Sequence, residues 1–212
     1  MLTYTKDKNN EDILLDSNNE QVMMEWEKSY MEACIEKLQP RGDVLEIGFG
    51  MGYSATAIQK YNPKSYTIVE CDPVVIKKCK LWAKDYSNIN IIESRWQDVI
   101  CTSRLNNYDE IFFDDFPNNV KKLQGVELFQ VSSRIHIFIE LLRQYHLNPG
   151  AKISAYICKD GSLFNDQLWK SKYIDNPCWE YDEKIITTEV SNIQKYHNSD
   201  NKAIIPLLKC VG

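Results

Sequence analysis

The stretch from Asp43 to Met51, DVLEIGFGM, limits what this chain can fold into more than any other. Asp43 to Ile47 reads as a short buried strand. Glycines at 48, 50 and 52 follow at once, and Ala55, Ala57, Ile58 and Tyr61 then carry helical spacing. A strand that breaks into glycines and re-enters a helix leaves unpaired backbone N–H groups around a space free of side chains. Such a turn binds something closely, and in nucleotide-binding sheets that ligand is a cofactor.

The other segments arrange themselves around this unit. Tyr66 to Val69 is a second strand ending at Glu70, and Pro73 opens a helix running to about Tyr86. Ile89 to Ile92 is a third strand, a short helix runs from Trp96 towards Ile100, and Tyr108 to Phe113 is a fourth strand. Residues 126–142 have helical periodicity. Asn148-Pro149-Gly150 is a sharp turn, Lys152 to Cys158 a fifth strand, and Phe164 to Tyr173 a short helix. Lys184–Val190 and Ala203–Leu208 follow each other without a crossover helix between them, so they pair antiparallel. The pattern is that of an α/β chain with a seven-stranded, mostly parallel sheet and an antiparallel C-terminal hairpin edge. Upstream, residues 1–20 are polar and rich in Asn and Asp and read as a mobile arm. The domain proper then spans 21–212, its first helix starting at Gln21 with Val22, Met23, Trp26, Tyr30, Cys34 and Leu38 on the apolar spacing.

Charge and cysteine usage exclude several classes. With 25 basic against 30 acidic residues the net charge is −5, and no basic run is present, which argues against nucleic-acid binding through phosphates. No segment reaches transmembrane length, and the first residues lack the apolar core of a signal peptide. Seven cysteines form no CxxC pair and only three histidines are present, so no metal site is expected and the thiols suit a reducing cytoplasm. Monomer and homodimer are equally compatible with these features.

The glycines read GxGxG, whereas the dinucleotide fingerprint is GxGxxG, and the position after Gly52 is Tyr53. S-Adenosylmethionine, nicotinamide and flavin therefore all stay open, with the first favoured. Glu70, at the end of the second strand, is placed to accept ribose hydroxyls in any of them. Ligands of such sheets lie beyond the carboxyl ends of the strands, where Asp114 and Asp115 stand side by side between Ile111–Phe113 and Phe116. Adjacent like charges repel, so this pair is best tolerated beside a cation. In the first helix Trp26 and Tyr30 share a face, and Glu27 falls about 100° away from it. Periodicity does not decide whether Glu27 borders a site or solvent.

Several segments together resemble guanidinoacetate N-methyltransferase and the related arginine N-methyltransferases acting on the inner guanidino nitrogen. They are VMMEWEKSYM (Val22 to Met31), DVLEIGFGMGYSATAIQ (Asp43 to Gln59), IVECDP (Ile68 to Pro73), SRWQDV (Ser94 to Val99), FFDDFP (Phe112 to Pro117), KSKY (Lys170 to Tyr173) and IIPLLK (Ile204 to Lys209). The resemblance implies a Rossmann-like class I methyltransferase that uses S-adenosylmethionine, releases S-adenosylhomocysteine, and acts on a small guanidino compound. It implies Glu27 and Asp114 as the catalytic pair gripping the guanidinium. It also implies a cofactor site of Met23, Met31, Glu46, Gly48, Phe49, Gly50, Met51, Glu70, Cys71, Ser94, Arg95, Trp96 and Asp114. Around the substrate this chain departs from the family pattern: Asp115 adds an acid, Phe116 removes a hydroxyl, and the loop with Cys158 and Lys159 differs in content. The extra acid suits an amine-bearing guanidine such as agmatine, while Lys159 suits a carboxylate tail. Two other readings of the chain are a methyltransferase for a different nitrogen and a non-catalytic S-adenosylmethionine-binding protein.

Overall fold

A computed structural model describes residues 1–115, 122–123, 126–127, 131–157, 162–187 and 202–211. In chain order the strands and helices are β1 (Thr3–Lys6), β2 (Asp12–Leu15), β3 (Gln21–Met24), α1 (Glu27–Leu38), β4 (Asp43–Ile47), α2 (Tyr53–Gln59), β5 (Ser65–Glu70), α3 (Pro73–Trp82) and β6 (Ile89–Glu93). They continue with α4 (Trp96–Val99), β7 (Tyr108–Phe113), β8 (Lys122–Leu123), β9 (Val126–Glu127), α5 (Val131–Tyr145), β10 (Leu147–Ala155), α6 (Gln167–Trp169), β11 (Trp179–Thr187) and β12 (Lys202–Cys210).

Seven strands form the main sheet in the order β11-β12-β10-β7-β4-β5-β6. The five strands β10, β7, β4, β5 and β6 run parallel, β12 is antiparallel to β10, and β11 is antiparallel to β12. The expected seven-stranded sheet with its antiparallel edge is therefore present. The interior strands β4, β5 and β7 are buried almost throughout on both faces, as parallel strands covered by helices must be, with Glu46, Glu70 and Glu110 among the buried side chains. One core layer packs Phe113, Phe138 and Trp96 on one side, and the other packs Met31, Ile35, Phe49 and Tyr66. Pro73 opens α3 as expected, and Asp72 caps it by accepting from the backbone N–H groups of Val74 and Val75 at 2.9 and 3.3 Å.

The N-terminal region differs from expectation. Residues 3–24 form a three-stranded antiparallel sheet, β1-β2-β3, where a mobile arm and the start of a helix were expected. Its two turns share one sequence, Asp-x-Asn-Asn-Glu, at 7–11 and 16–20. In each turn the leading Asp carboxylate accepts two backbone N–H groups at 2.8 to 2.9 Å, and the second Asn (Asn10, Asn19) takes positive φ. Asp and Asn are the residues that stabilise such turns, so this polar repeat is hairpin chemistry. The helix expected from Gln21 begins at Glu27, because Gln21–Met24 pairs with β2. The turn expected at Asn148–Gly150 lies inside β10 as a break in register between Leu147 and Lys152, with Gly150 at φ +79°. The short helix expected over Phe164–Tyr173 is divided into a 3₁₀ turn, α6 and a π-helical turn.

Candidate functional site

The sheet changes direction between β4 and β7: β5 and β6 extend on one side of β4, while β7 pairs on the other. A ligand crevice opens at the carboxyl ends of the strands at such a point. Gly48 leaves β4 at φ +83°, its N–H donating to the Val69 carbonyl at 2.9 Å. A methyl group on it would lie 2.1 Å from the Asp114 carbonyl oxygen. The N-terminal sheet sits over this turn. The Tyr4 hydroxyl donates to the Gly50 carbonyl at 2.6 Å, and the Met51 N–H points at the Met23 sulfur at 3.2 Å. The Leu2 N–H donates to Asp72 Oδ2 at 3.0 Å.

Between these elements lies a pocket enclosing about 750 Å³ of space, its open mouth included. Its wall takes Leu2, Leu14, Val22 and Met23 from the N-terminal segment. Gly48, Gly50, Glu70, Cys71, Ser94, Arg95, Trp96, Asp114, Asp115 and Arg134 come from the main domain. Glu70 Oε1 accepts from the N–H groups of Cys71 and Asp72 at 2.6 and 2.9 Å, and Oε2 accepts, among the described residues, from Phe49 at 2.9 Å. A carboxylate has about four acceptor positions, so Oε2 retains one for a ribose hydroxyl. The side-chain-free glycine turn and this acceptor are what an adenosyl cofactor requires.

Asp114 and Asp115 line the pocket together with Glu70, while Glu27 and Glu46 are not on its wall. Glu27, in the first turn of α1, is 2 % exposed and accepts from the Met24 N–H at 2.8 Å. Burial raises its carboxyl well above the ordinary range, and the charge of Asp114 raises it further; the Met24 N–H and the Tyr156 hydroxyl oppose this. Asp114 is pushed up to about 7, first by burial and then by the charges of Asp115 and Glu70. Its carboxylate has no hydrogen-bond partner among the described residues. Asp115 is engaged: its Oδ2 accepts from Trp96 Nε1 at 2.8 Å and lies 3.1 Å from Arg134 Nε. Arg134, only 3 % exposed, also donates from Nη2 to the Asp115 carbonyl at 2.6 Å. Beneath the glycine turn, Glu46 is fully buried against Tyr66 and Ser54, and burial pushes it up to about 8.

Of the expected cofactor residues, Met23, Gly48, Gly50, Glu70, Cys71, Ser94, Arg95, Trp96 and Asp114 line the pocket. Met31, Glu46, Phe49 and Met51 do not. Met31 and Phe49 pack in the core, the latter against Trp82, with ring centroids 5.4 Å apart. Phe49 contributes its backbone N–H to Glu70 instead of its ring to a ligand. Glu46 points away because successive strand residues face opposite sides of the sheet. Asp115, expected at the substrate, is paired with Arg134 and Trp96, which removes the argument for an amine-bearing substrate tail. Phe116, Cys158 and Lys159 lie outside the described residues. The sequence reading missed Leu2, Leu14, Val22 and Arg134 on the pocket wall, and Tyr156 beside Glu27. The repeated Asp-x-Asn-Asn-Glu turns were the available signal for the first two. No cluster of metal-ligating side chains occurs among the described residues, and no helix among them is long and apolar enough to cross a membrane.

The strand order, the glycine turn at the reversal and the acid ending β5 are those of a Rossmann-like class I methyltransferase fold. The family model described as guanidinoacetate N-methyltransferase matches residues 3–175, and the chain belongs to that family. Among curated relatives it is similar to protein arginine N-methyltransferase 2 of Candida glabrata, 42 % identical over 118 residues, covering 52 % of this chain and 28 % of the relative. It is also similar to the protein of that name from Saccharomyces cerevisiae, 38 % identical over 111 residues, covering 48 % of this chain and 26 % of the relative. The chain thus matches little more than a quarter of the length of these relatives. The N-methyltransferase NodS from Bradyrhizobium japonicum WM9 superposes with a TM-score of 0.62 at 12 % identity, over 88 % of this chain and 97 % of that one. The O-methyltransferase TomG from Streptomyces achromogenes, solved with S-adenosylmethionine, gives 0.59 at 11 % identity over 88 % and 80 %. At these identities the structural likeness speaks to the fold alone.

Proposed function

We propose that this protein methylates a guanidino nitrogen of a small molecule, with Glu27 and Asp114 gripping the guanidinium. The observation that carries the reading is that Asp114, on the pocket wall, raises by its charge the proton affinity of Glu27, a buried acid from a distant part of the chain. Desolvation strains both carboxyls, the charges of Asp115 and Glu70 add to the strain on Asp114, and a flat cation between Glu27 and Asp114 relieves both. Two carboxylates on different nitrogens fix the plane of a guanidinium and draw positive charge away from the third. That nitrogen becomes the nucleophile, held in place by the pair.

When bound, S-adenosylmethionine supplies an activated methyl group on sulfur. Asp114, on the pocket wall, takes the proton from the nitrogen as the N–C bond forms and the S–C bond breaks. Glu27 keeps its backbone N–H bond throughout and acts as the orienting partner. Leu2, Leu14 and Val22, on the apolar wall of the pocket, keep water from the reacting atoms. No covalent enzyme intermediate is needed.

The test is incubation with labelled S-adenosylmethionine and, separately, guanidinoacetate, arginine, agmatine and an arginine-containing peptide, with mass analysis of products. Methyl transfer to one of the free guanidines supports the proposal. Transfer to the peptide alone would move the substrate to a protein side chain, as the names of the curated relatives suggest. Methylation of none, with S-adenosylhomocysteine bound normally, would overturn it.

A further inference from the structure

We infer that Arg134 is a positioning residue for this reaction: by holding Asp115 it withdraws one of two adjacent acids and leaves Asp114 unpaired among the described residues. The inference rests on the reading of Asp114 as the acid that meets the guanidinium.

Arg134 approaches from the first turn of α5. It donates from Nη2 to the Asp115 carbonyl at 2.6 Å, and its Nε, which makes no hydrogen bond, lies 3.1 Å from Oδ2 as an ion pair. The same Oδ2 accepts from Trp96, whose ring packs edge-on against Phe113 and Phe138 at 5.9 and 5.3 Å. The pair therefore braces the chain where it leaves β7, and Asp114 is part of that exit.

The charges matter as much as the bracing. Asp114 is faced by Glu27, Tyr30 and Cys34 from α1, Glu46 from β4, Glu70 from β5, its neighbour Asp115, and Arg134 from α5 through Asp115. Arg134 is the cation in this set and is itself a guanidinium. Freed from Asp115, it would turn to the next acid along the chain and occupy the seat meant for substrate. Asp115 thus keeps the protein's own guanidinium off Asp114, while Arg134 keeps the charge of Asp115 from adding fully to that of Asp114. A second acid at this position is tolerable only with both members present.

The experiment follows the Asp114 and Asp115 carboxyls by ¹³C NMR titration in the S-adenosylhomocysteine complex, together with kcat and KM for whichever free guanidine turns over. Arg134→Gln should raise the titration of the acid pair by about one pH unit, a tenfold change in proton affinity. Arg134→Lys, which keeps the charge, should leave it near the wild-type value. Asp115→Asn should lower the Asp114 titration and raise KM about tenfold or more with a smaller change in kcat. Adding Arg134→Gln to Asp115→Asn should restore KM. Far-UV circular dichroism and thermal melting report that each variant is folded. An unchanged titration in Arg134→Gln, or a double variant no better than Asp115→Asn alone, would overturn the inference. Full turnover in Asp114→Asn would instead sink the role given to Asp114, leaving the NMR result to judge the pairing separately.

Discussion

Gly48 and Asp114, at the ends of neighbouring strands, are in close backbone contact at the pocket: the space a Cβ on Gly48 would need lies 2.1 Å from the Asp114 carbonyl oxygen. The cofactor turn and the candidate catalytic acid are therefore one mechanical unit. Gly48→Ala should damage both. Its φ of +83° alone costs an L residue about 1–3 kcal/mol, and the clash adds to that. The expected result is a lower denaturation midpoint together with weak S-adenosylhomocysteine binding by calorimetry. Wild-type affinity in this variant would show that the contact is slack.

Asp114→Asn and Glu27→Gln should each reduce kcat/KM for the guanidine by an amount of order 2–5 kcal/mol while leaving cofactor affinity nearly intact. Because Asp114 is raised to about 7 and acts ionised, wild-type kcat/KM should climb as pH rises through that value and level off above it. A flat profile between pH 5.5 and 8.5, the range on the order of 1.5 units either side, is incompatible with Asp114 as proton acceptor.

Glu46 offers a different pH effect. Its folded-state value of about 8 stands above the ordinary 4.5. Between those values the folded protein holds a proton that the unfolded chain has released. Stability from this group is thus full below 4.5 and is lost as pH rises towards 8. Glu46→Gln, a neutral side chain of the same shape, should flatten that decline. Melting curves should show the variant gaining on wild type as pH is raised, and parallel curves would refute the assignment.

Tyr4→Phe removes the hydroxyl that donates to Gly50 at 2.6 Å while leaving the ring under Lys78, whose Nζ lies 4.0 Å from the ring centroid. One hydrogen bond is worth about 1 kcal/mol, or roughly fivefold in affinity. We expect S-adenosylhomocysteine to bind several-fold more weakly and the amides of β1 to exchange faster, with kcat little changed. Unaltered exchange in β1 would mean that the N-terminal sheet is held by its apolar contacts alone.

The sequence by itself determined the sheet and its pivot. Strands β4, β5 and β7 are short apolar runs bounded by glycine, proline or acids, and their limits were legible because burial on both faces leaves little choice of residue. Glu70 was legible for the same reason, standing where a buried run stops. The N-terminal sheet was not, since four-residue strands carry too little periodicity, and Val22 and Met23 happened to fall on the spacing of α1. Tertiary structure alone decided which acids face one another. The charge of Asp114 acts on Glu27 from another part of the chain, Glu46 is buried against Tyr66, and Asp115 is taken by an arginine 19 residues further along. Charge pairing depends on distance in space, and no pattern along a chain encodes the distance between elements that pack only once the sheet has formed.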